Sequence, residues 1–87
     1  MYFFYVLKST KNEELYFGYT EDLRARLGQH NSGKVPSTNL KKPLVLVYYE
    51  AYRSQSDAKH REHSIKLRGN AYLQLKRRIR NCVAETE

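Results

Sequence analysis

The sequence predicts an α+β fold, a small three-stranded antiparallel sheet flanked by about three helices in the order ββαβαα. Two apolar runs, Tyr2 to Leu7 and Glu14 to Tyr19, are joined by a short polar turn and read as a hairpin. A third run, Leu44 to Tyr52, is the strongest strand signal in the chain. Helix-start residues at Thr20 and Ser54 and stop signals at Ser32-Gly33 and Gly69 then bracket the helices.

Each element has its own local reason. Tyr2 to Leu7 is aromatic and aliphatic without alternation, as a central strand covered on both faces requires. In the second strand Leu15 and Phe17 alternate with Tyr16 and Gly18. Thr20 is the expected N-cap of the first helix, with Glu21 and Asp22 in its first turn and an end near Asn31. Asn31 to Pro43 reads as a polar, basic loop without periodicity. Ser54 to Asp57 opens a second helix that runs towards Leu67. Asn70 is the expected cap of a third, whose apolar stripe is Tyr72, Leu75 and Ile79. A single domain over 1–82 is expected, with 83–87 as a frayed tail.

Composition bounds the function. With 87 residues, 40% hydrophobic and 29% charged, the chain has room for one modest core and no second. The net charge of +7 and a pI near 9.7 favour a polyanionic partner. Charge is also concentrated: Lys59 to Arg80 holds eight of the sixteen Lys and Arg residues and one acid, Glu62. The lone Cys82 excludes an intramolecular disulfide, so a reducing, cytoplasmic setting is expected. The N-terminal apolar run is too short to span a bilayer and lacks a leader pattern, so no membrane role is expected.

Polar residues on apolar faces mark the candidate site. Leu23 and Leu27 define the inward stripe of the first helix, and Arg26 and His30 lie beside it, one turn apart. Ordinary alternatives are an Arg26 ion pair and a His30 helix cap. In the second helix Ala58 and Ile65 mark the buried side, and Glu62 falls between them. An acid there needs a cation, either a salt bridge to Arg61, Arg26 or Lys66, or a metal ion. Magnesium suits a lone carboxylate on a phosphate-binding face, because it keeps several waters and binds substrate phosphate oxygens. His60 and His63 beside Glu62 raise a zinc alternative, but the three side chains span most of the helix circumference and converge poorly. Tyr5 and Tyr16, on neighbouring paired strands, could present both hydroxyls on one face, although isolated tyrosines usually belong to the core.

Five blocks in order carry a family resemblance. They are Phe3-Phe4-Tyr5; Tyr16-Phe17-Gly18 and the long segment from Tyr19 to Lys34; Ser37-Thr38; Leu46 to Glu50; and Ala58 to Lys66. Over nearly its full length the chain resembles the small stand-alone GIY-YIG endonuclease-like proteins, with Phe3 and Phe4 replacing the glycine and isoleucine of the first motif. The resemblance implies that Tyr5 and Tyr16 are the motif tyrosines, that Arg26 grips the scissile phosphate and that His30 fills a His-or-Tyr position. It makes Glu62 the metal-ligating acid and Asn70 the candidate for a late polar residue.

The expected activity is metal-dependent hydrolysis of phosphodiester bonds, structure-selective or weakly sequence-specific, in repair or recombination. Mg²⁺ on Glu62 would bind the scissile phosphate, with Mn²⁺ as a substitute. Arg26 would neutralise developing charge, and Tyr5, Tyr16 or His30 would accept the proton of the attacking water. Arg24, Lys34, Lys41, Lys42, Arg61, Lys66, Arg68 and Asn70 would contact the nucleic-acid backbone. DNA stands ahead of RNA as partner, the chain is taken as a monomer or weak dimer, and no protein partner is read from the sequence. A non-catalytic DNA- or RNA-binding module on the same fold is the alternative, and a protein-interaction domain a more distant one.

Overall fold

The computed structural model describes residues 1–85. Strands β1 (Tyr2–Ser9), β2 (Leu15–Thr20) and β3 (Leu44–Tyr52) form one antiparallel sheet with the order β2-β1-β3. The helices are α1 (Leu23–Asn31), α2 (Gln55–Lys66), α3 (Asn70–Arg78) and α4 (Arg80–Ala84). The expected ββαβαα order therefore holds, with the last expected helix broken at Ile79. Val83 and Ala84, expected to begin a frayed tail, instead close α4; Thr86 and Glu87, also in that expected tail, lie outside the described residues.

β1 is hydrophobic on both sides because both sides are covered. Phe4 and Val6 enter a core with Ile65 of α2 and Leu75 and Ile79 around α3, all at most 1% exposed. On the opposite face Tyr5 and Leu7 pack with Leu44, Leu23 and Leu27, which seats α1. Lys8 is also buried, and its Nζ donates to the Val83 carbonyl at 2.9 Å, a cation on the last turn of α4.

Three local features differ from the sequence reading. The α1 N-cap is Asp22, whose side chain accepts from the Ala25 amide at 3.0 Å, so neither Glu21 nor Asp22 lies in the first turn. Thr20 instead ends β2, and its hydroxyl accepts from the Asp22 amide. Asn70 is the first residue of α3, and Gly69 holds the cap position without a side-chain bond. The expected loop from Asn31 to Pro43 contains a 3-10 helix over Pro36–Lys41.

Asn31 ties the end of α1 to the start of β3 as a strand neighbour would. Its Nδ2 donates to the Leu44 carbonyl at 2.9 Å and its Oδ1 accepts from the Leu44 amide at 2.7 Å. This clamp fixes the residue preceding it, His30, against the sheet. At the other end of the sheet Glu50 of β3 is held by Arg61 of α2 in a two-pronged ion pair at 2.9 and 3.1 Å, and it also accepts from the hydroxyls of Tyr48 and Tyr52. Arg61, seconded by both phenols, holds the Glu50 carboxyl below its ordinary range although burial alone would raise it, while burial first and the Glu50 carboxylate second push Tyr52 up to about 12.

Ile65→Ala removes a fully buried side chain from the larger core. It is expected to lower the unfolding free energy by about 2–5 kcal/mol, measured by urea titration.

Candidate active site

The geometry of the site begins with an atom that is missing. Gly18 stands opposite Tyr5 in the β1–β2 register, and a Cβ built on Gly18 would lie 2.3 Å from the Tyr5 hydroxyl oxygen. Only glycine leaves room for that phenol to lie across β2. In that space the Tyr5 hydroxyl meets two helix α1 side chains: Arg26 Nε donates to it at 3.3 Å and His30 Nε2 lies 3.0 Å away. The His30 ring also meets the Tyr5 ring edge-on, with centroids 5.9 Å apart.

Hydrogen-bond bookkeeping assigns the protons. Arg26 can only donate, so the Tyr5 oxygen accepts there and its own proton is free to go to His30 Nε2. The Nδ1–H of His30 then donates to Thr38 Oγ1 at 2.7 Å. Burial first, and the positive charge of Arg26 second, lower the His30 pKa from its ordinary value, which keeps the imidazole neutral in this chain of contacts. His30 is only 4% exposed. It is therefore a core residue with both ring nitrogens engaged, not a group at the core edge or a helix cap.

Tyr16 shares a sheet face with Tyr5 and Gly18, since its register partner is Leu7. Its hydroxyl donates to Glu14 at 3.1 Å and lies 3.3 Å from Asn12 Nδ2, which donates to it. Tyr16, His30, Thr38, Lys66 and Arg68 line one cavity of about 370 Å³ at the β2 edge. The cavity thus brings together residues from the hairpin, α1, the 3-10 helix and the end of α2. Arg26, which does not line this cavity, also donates to Gln29 Oε1 at 3.0 Å.

Glu62 is partly buried on α2 and pairs with Lys66 at 3.1 Å, the i,i+4 salt bridge among the alternatives expected for it. Lys66, in turn, lines the Tyr16–His30 cavity, so the carboxylate stands one helical turn from it. Among the described residues no three His, Cys, Asp or Glu side chains gather to hold a metal ion. His60 and His63 are exposed.

The expected backbone-contacting residues divide. Lys66 and Arg68 line the cavity, and Arg24, Lys34, Lys42 and Asn70 are exposed. Lys42 Nζ donates to Asn39 at 3.3 Å, and Lys41 is half-buried. Arg61 is different, because its guanidinium is committed to Glu50 on the opposite edge of the sheet. Asn12, Glu14, Gly18 and Thr38, which hold the tyrosines and the histidine, were given no role from the sequence. Gly18 sits inside a motif and Thr38 in an apparently aperiodic loop, so only the paired structure shows what they touch.

Two outcomes follow. Gly18→Ala is expected to drive the Tyr5 hydroxyl away from Arg26 and His30 and to lower the urea midpoint, while circular dichroism still shows a folded α+β chain. Because the folded His30 pKa is lowered, the unfolded state binds its proton first as pH falls. Stability is therefore expected to decline below about pH 6.5, the ordinary histidine value, before Glu50 begins to titrate below its ordinary value of 4.5. Urea midpoints of the parent and of His30→Gln across pH 7.5 to 5.5 check this, the variant losing that part of the slope.

The chain was compared with known proteins. Residues 1–81 match the model of the GIY-YIG catalytic domain. A UPF0213 protein of Staphylococcus haemolyticus is 42% identical over 66 residues, covering 75% of this chain and 79% of the relative. UPF0213 proteins of Staphylococcus epidermidis and Staphylococcus aureus are 41% and 39% identical over the same extent. No solved structure matches. Matched across nearly its whole length, and built around a tyrosine seated over a motif glycine, this chain belongs to the GIY-YIG family, a nuclease family that acts on nucleic acid.

Proposed function

We propose that the protein is a metal-dependent endonuclease that hydrolyses DNA phosphodiester bonds with weak sequence preference. The observation that carries this reading is the junction of Arg26, Tyr5 and His30 at one hydroxyl, with Tyr16 across the same strand pair. Such an arrangement offers a guanidinium for phosphoryl charge and a pre-positioned phenol for a proton.

The donor set near the site suits Mg²⁺ better than zinc. Glu62, one hard carboxylate with no thiolate or convergent imidazole beside it, would hold a magnesium ion. When bound, the ion supplies charge neutralisation at the phosphate and acidifies its waters. The chain's own groups do the rest. Arg26 holds a phosphate oxygen through the N–H groups that Tyr5 leaves to it. His30, neutral and backed by Thr38, fixes the Tyr5 hydroxyl. Tyr16, bonded to Glu14, is the half-exposed phenol that a water in the cavity can reach. Lys66, which pairs with Glu62 and lines the cavity, would be free for a phosphate if Glu62 held a cation. Tyr5 is the recessed proton acceptor, passing its own proton to His30 Nε2 as it takes one, and Tyr16 positions the water.

Single-turnover cleavage of labelled DNA with Mg²⁺ is the test. Arg26→Ala and Glu62→Gln are each expected to slow it by about a hundredfold or more, and EDTA to abolish it. Equal rates for parent and variants would overturn the assignment, and binding that persists unchanged in EDTA without cleavage in Mg²⁺ would favour a binding module.

A further inference from the structure

A second cavity of about 370 Å³ adjoins the first across the β2 edge and shares Leu15, Tyr16 and Arg68 with it. Its helical wall is a cationic-aromatic stripe. Arg68 and Lys76 both lie over the Tyr72 ring, at 4.8 and 5.2 Å from its centroid, and Arg68 also donates to the Tyr72 hydroxyl at 2.8 Å. Phe17 supports that ring edge-on from below, with centroids 6.0 Å apart. Its hairpin wall carries opposite charge, from Glu13 and Glu14.

The backbone singles out the same place. Among the described residues Glu13 and Arg68 are the non-glycine residues with positive φ, 62° and 59°, and both line this cavity. Glu13 closes the β1–β2 turn and Arg68 is the left-handed residue just past the C-cap of α2, so two chain reversals form its rim.

We propose that this groove holds an unpaired nucleotide next to the cleaved phosphate, its base stacked on the Arg68–Tyr72 platform and its backbone held by Lys76 and Lys66. The assignment of its neighbour as the cleaved phosphate rests on the nuclease reading; the binding itself does not. A base in a duplex has both faces stacked, so it can offer nothing to an aromatic platform, and its pairing-edge hydrogens are engaged. An unpaired base offers a free π-face for the Arg68 guanidinium that lies on Tyr72, and pairing-edge amino groups for Glu13 and Glu14 to accept from. The division of charge fits a strand lying along the groove, phosphates on the helix side and base edges on the hairpin side. It does not fit a duplex, whose two phosphate rails would bring one of them against the carboxylates. The volume also fits a single nucleotide. The substrate class is accordingly a junction between duplex and single strand, such as an overhang or flap.

The test measures binding in EDTA by fluorescence anisotropy, comparing a blunt duplex with the same duplex bearing a short overhang that contains 2-aminopurine. The overhang is expected to bind about tenfold tighter, and its 2-aminopurine emission to be quenched by stacking. Tyr72→Leu keeps an apolar group against Phe17, and Lys76→Gln alters only an exposed side chain. Both are expected to retain the parent's melting curve while the overhang preference shrinks, and Tyr72→Leu also to keep the parent's duplex affinity and to remove the quenching. Equal affinity of the parent for the two DNAs, or an unchanged preference in both variants, would overturn the proposal. Cleavage assays in Mg²⁺ run alongside separate the two readings. Overhang preference without cleavage leaves this groove standing and removes the nuclease assignment, whereas cleavage without preference removes the groove alone.

Discussion

The site depends on one contact: a phenol lying across a glycine. Tyr5 sits on the central strand, so its ring is held by the core, yet its hydroxyl must reach past β2 to meet α1. A side chain larger than hydrogen at position 18 occupies the volume that the hydroxyl needs. With that space open, one oxygen serves as the acceptor for Arg26 and the donor for His30, and two helix residues a turn apart are oriented by a single sheet residue. Thr38 completes the line by fixing the imidazole from behind, from its place in the 3-10 helix that follows α1.

The opposite face of the sheet has its own polar knot, and it bears on the site indirectly. Tyr48, Glu50 and Tyr52 alternate along β3 so that all lie on the side that receives α2, where Arg61 is captured. Anchoring Arg61 fixes the rotation of α2 about its own axis. The next residue, Glu62, is turned about 100° away by helical geometry and is thereby directed off the Glu50 edge. Its salt bridge to Lys66 runs along the helix towards the β2 edge, where Lys66 meets Tyr16 and His30 in the shared cavity. The Glu50–Arg61 pair is thus a structural ion pair with a positional effect on the candidate metal-ligating acid.

Much of this was legible in the sequence, for reasons particular to each element. The third strand, Leu44–Tyr52, has the predicted bounds because a run of apolar and aromatic residues, interrupted only by Glu50, follows a proline. The second helix starts at its Ser54 cap, and Ala58 and Ile65 lie inside as their spacing requires. Arg26 and His30 were marked as neighbours by helix spacing, Tyr5 joined them only through the family resemblance, and the structure brings the three together. Cap positions were less legible, since Thr20, Glu21 and Asp22 are all competent at a helix start and only the end of β2 selects Asp22. Long-range polar partners were not legible at all. Nothing in the order of residues links Thr38 to His30, Glu14 to Tyr16 or Arg61 to Glu50 in preference to other pairings, because these depend on how the two cores set the helices over the sheet. Arg61 is the clearest case: by charge it belonged with the phosphate-facing cations, and by position it belongs to β3.

The order in which the site's parts occur along the chain has a consequence for how the protein comes into being. Tyr5, Gly18, Arg26, His30 and Thr38 belong to the hairpin, α1 and the 3-10 turn, a contiguous unit whose contacts span short stretches of chain. Glu62 comes from α2, which must be made, wound and docked before its carboxylate reaches the neighbourhood. During synthesis the residues around the Tyr5 hydroxyl therefore precede the carboxylate on α2. Both nevertheless lean on β1, whose faces pack against Leu44 and α1 on one side and α2 and α3 on the other, so neither group is held in place until β3 and the last helices have closed over the sheet.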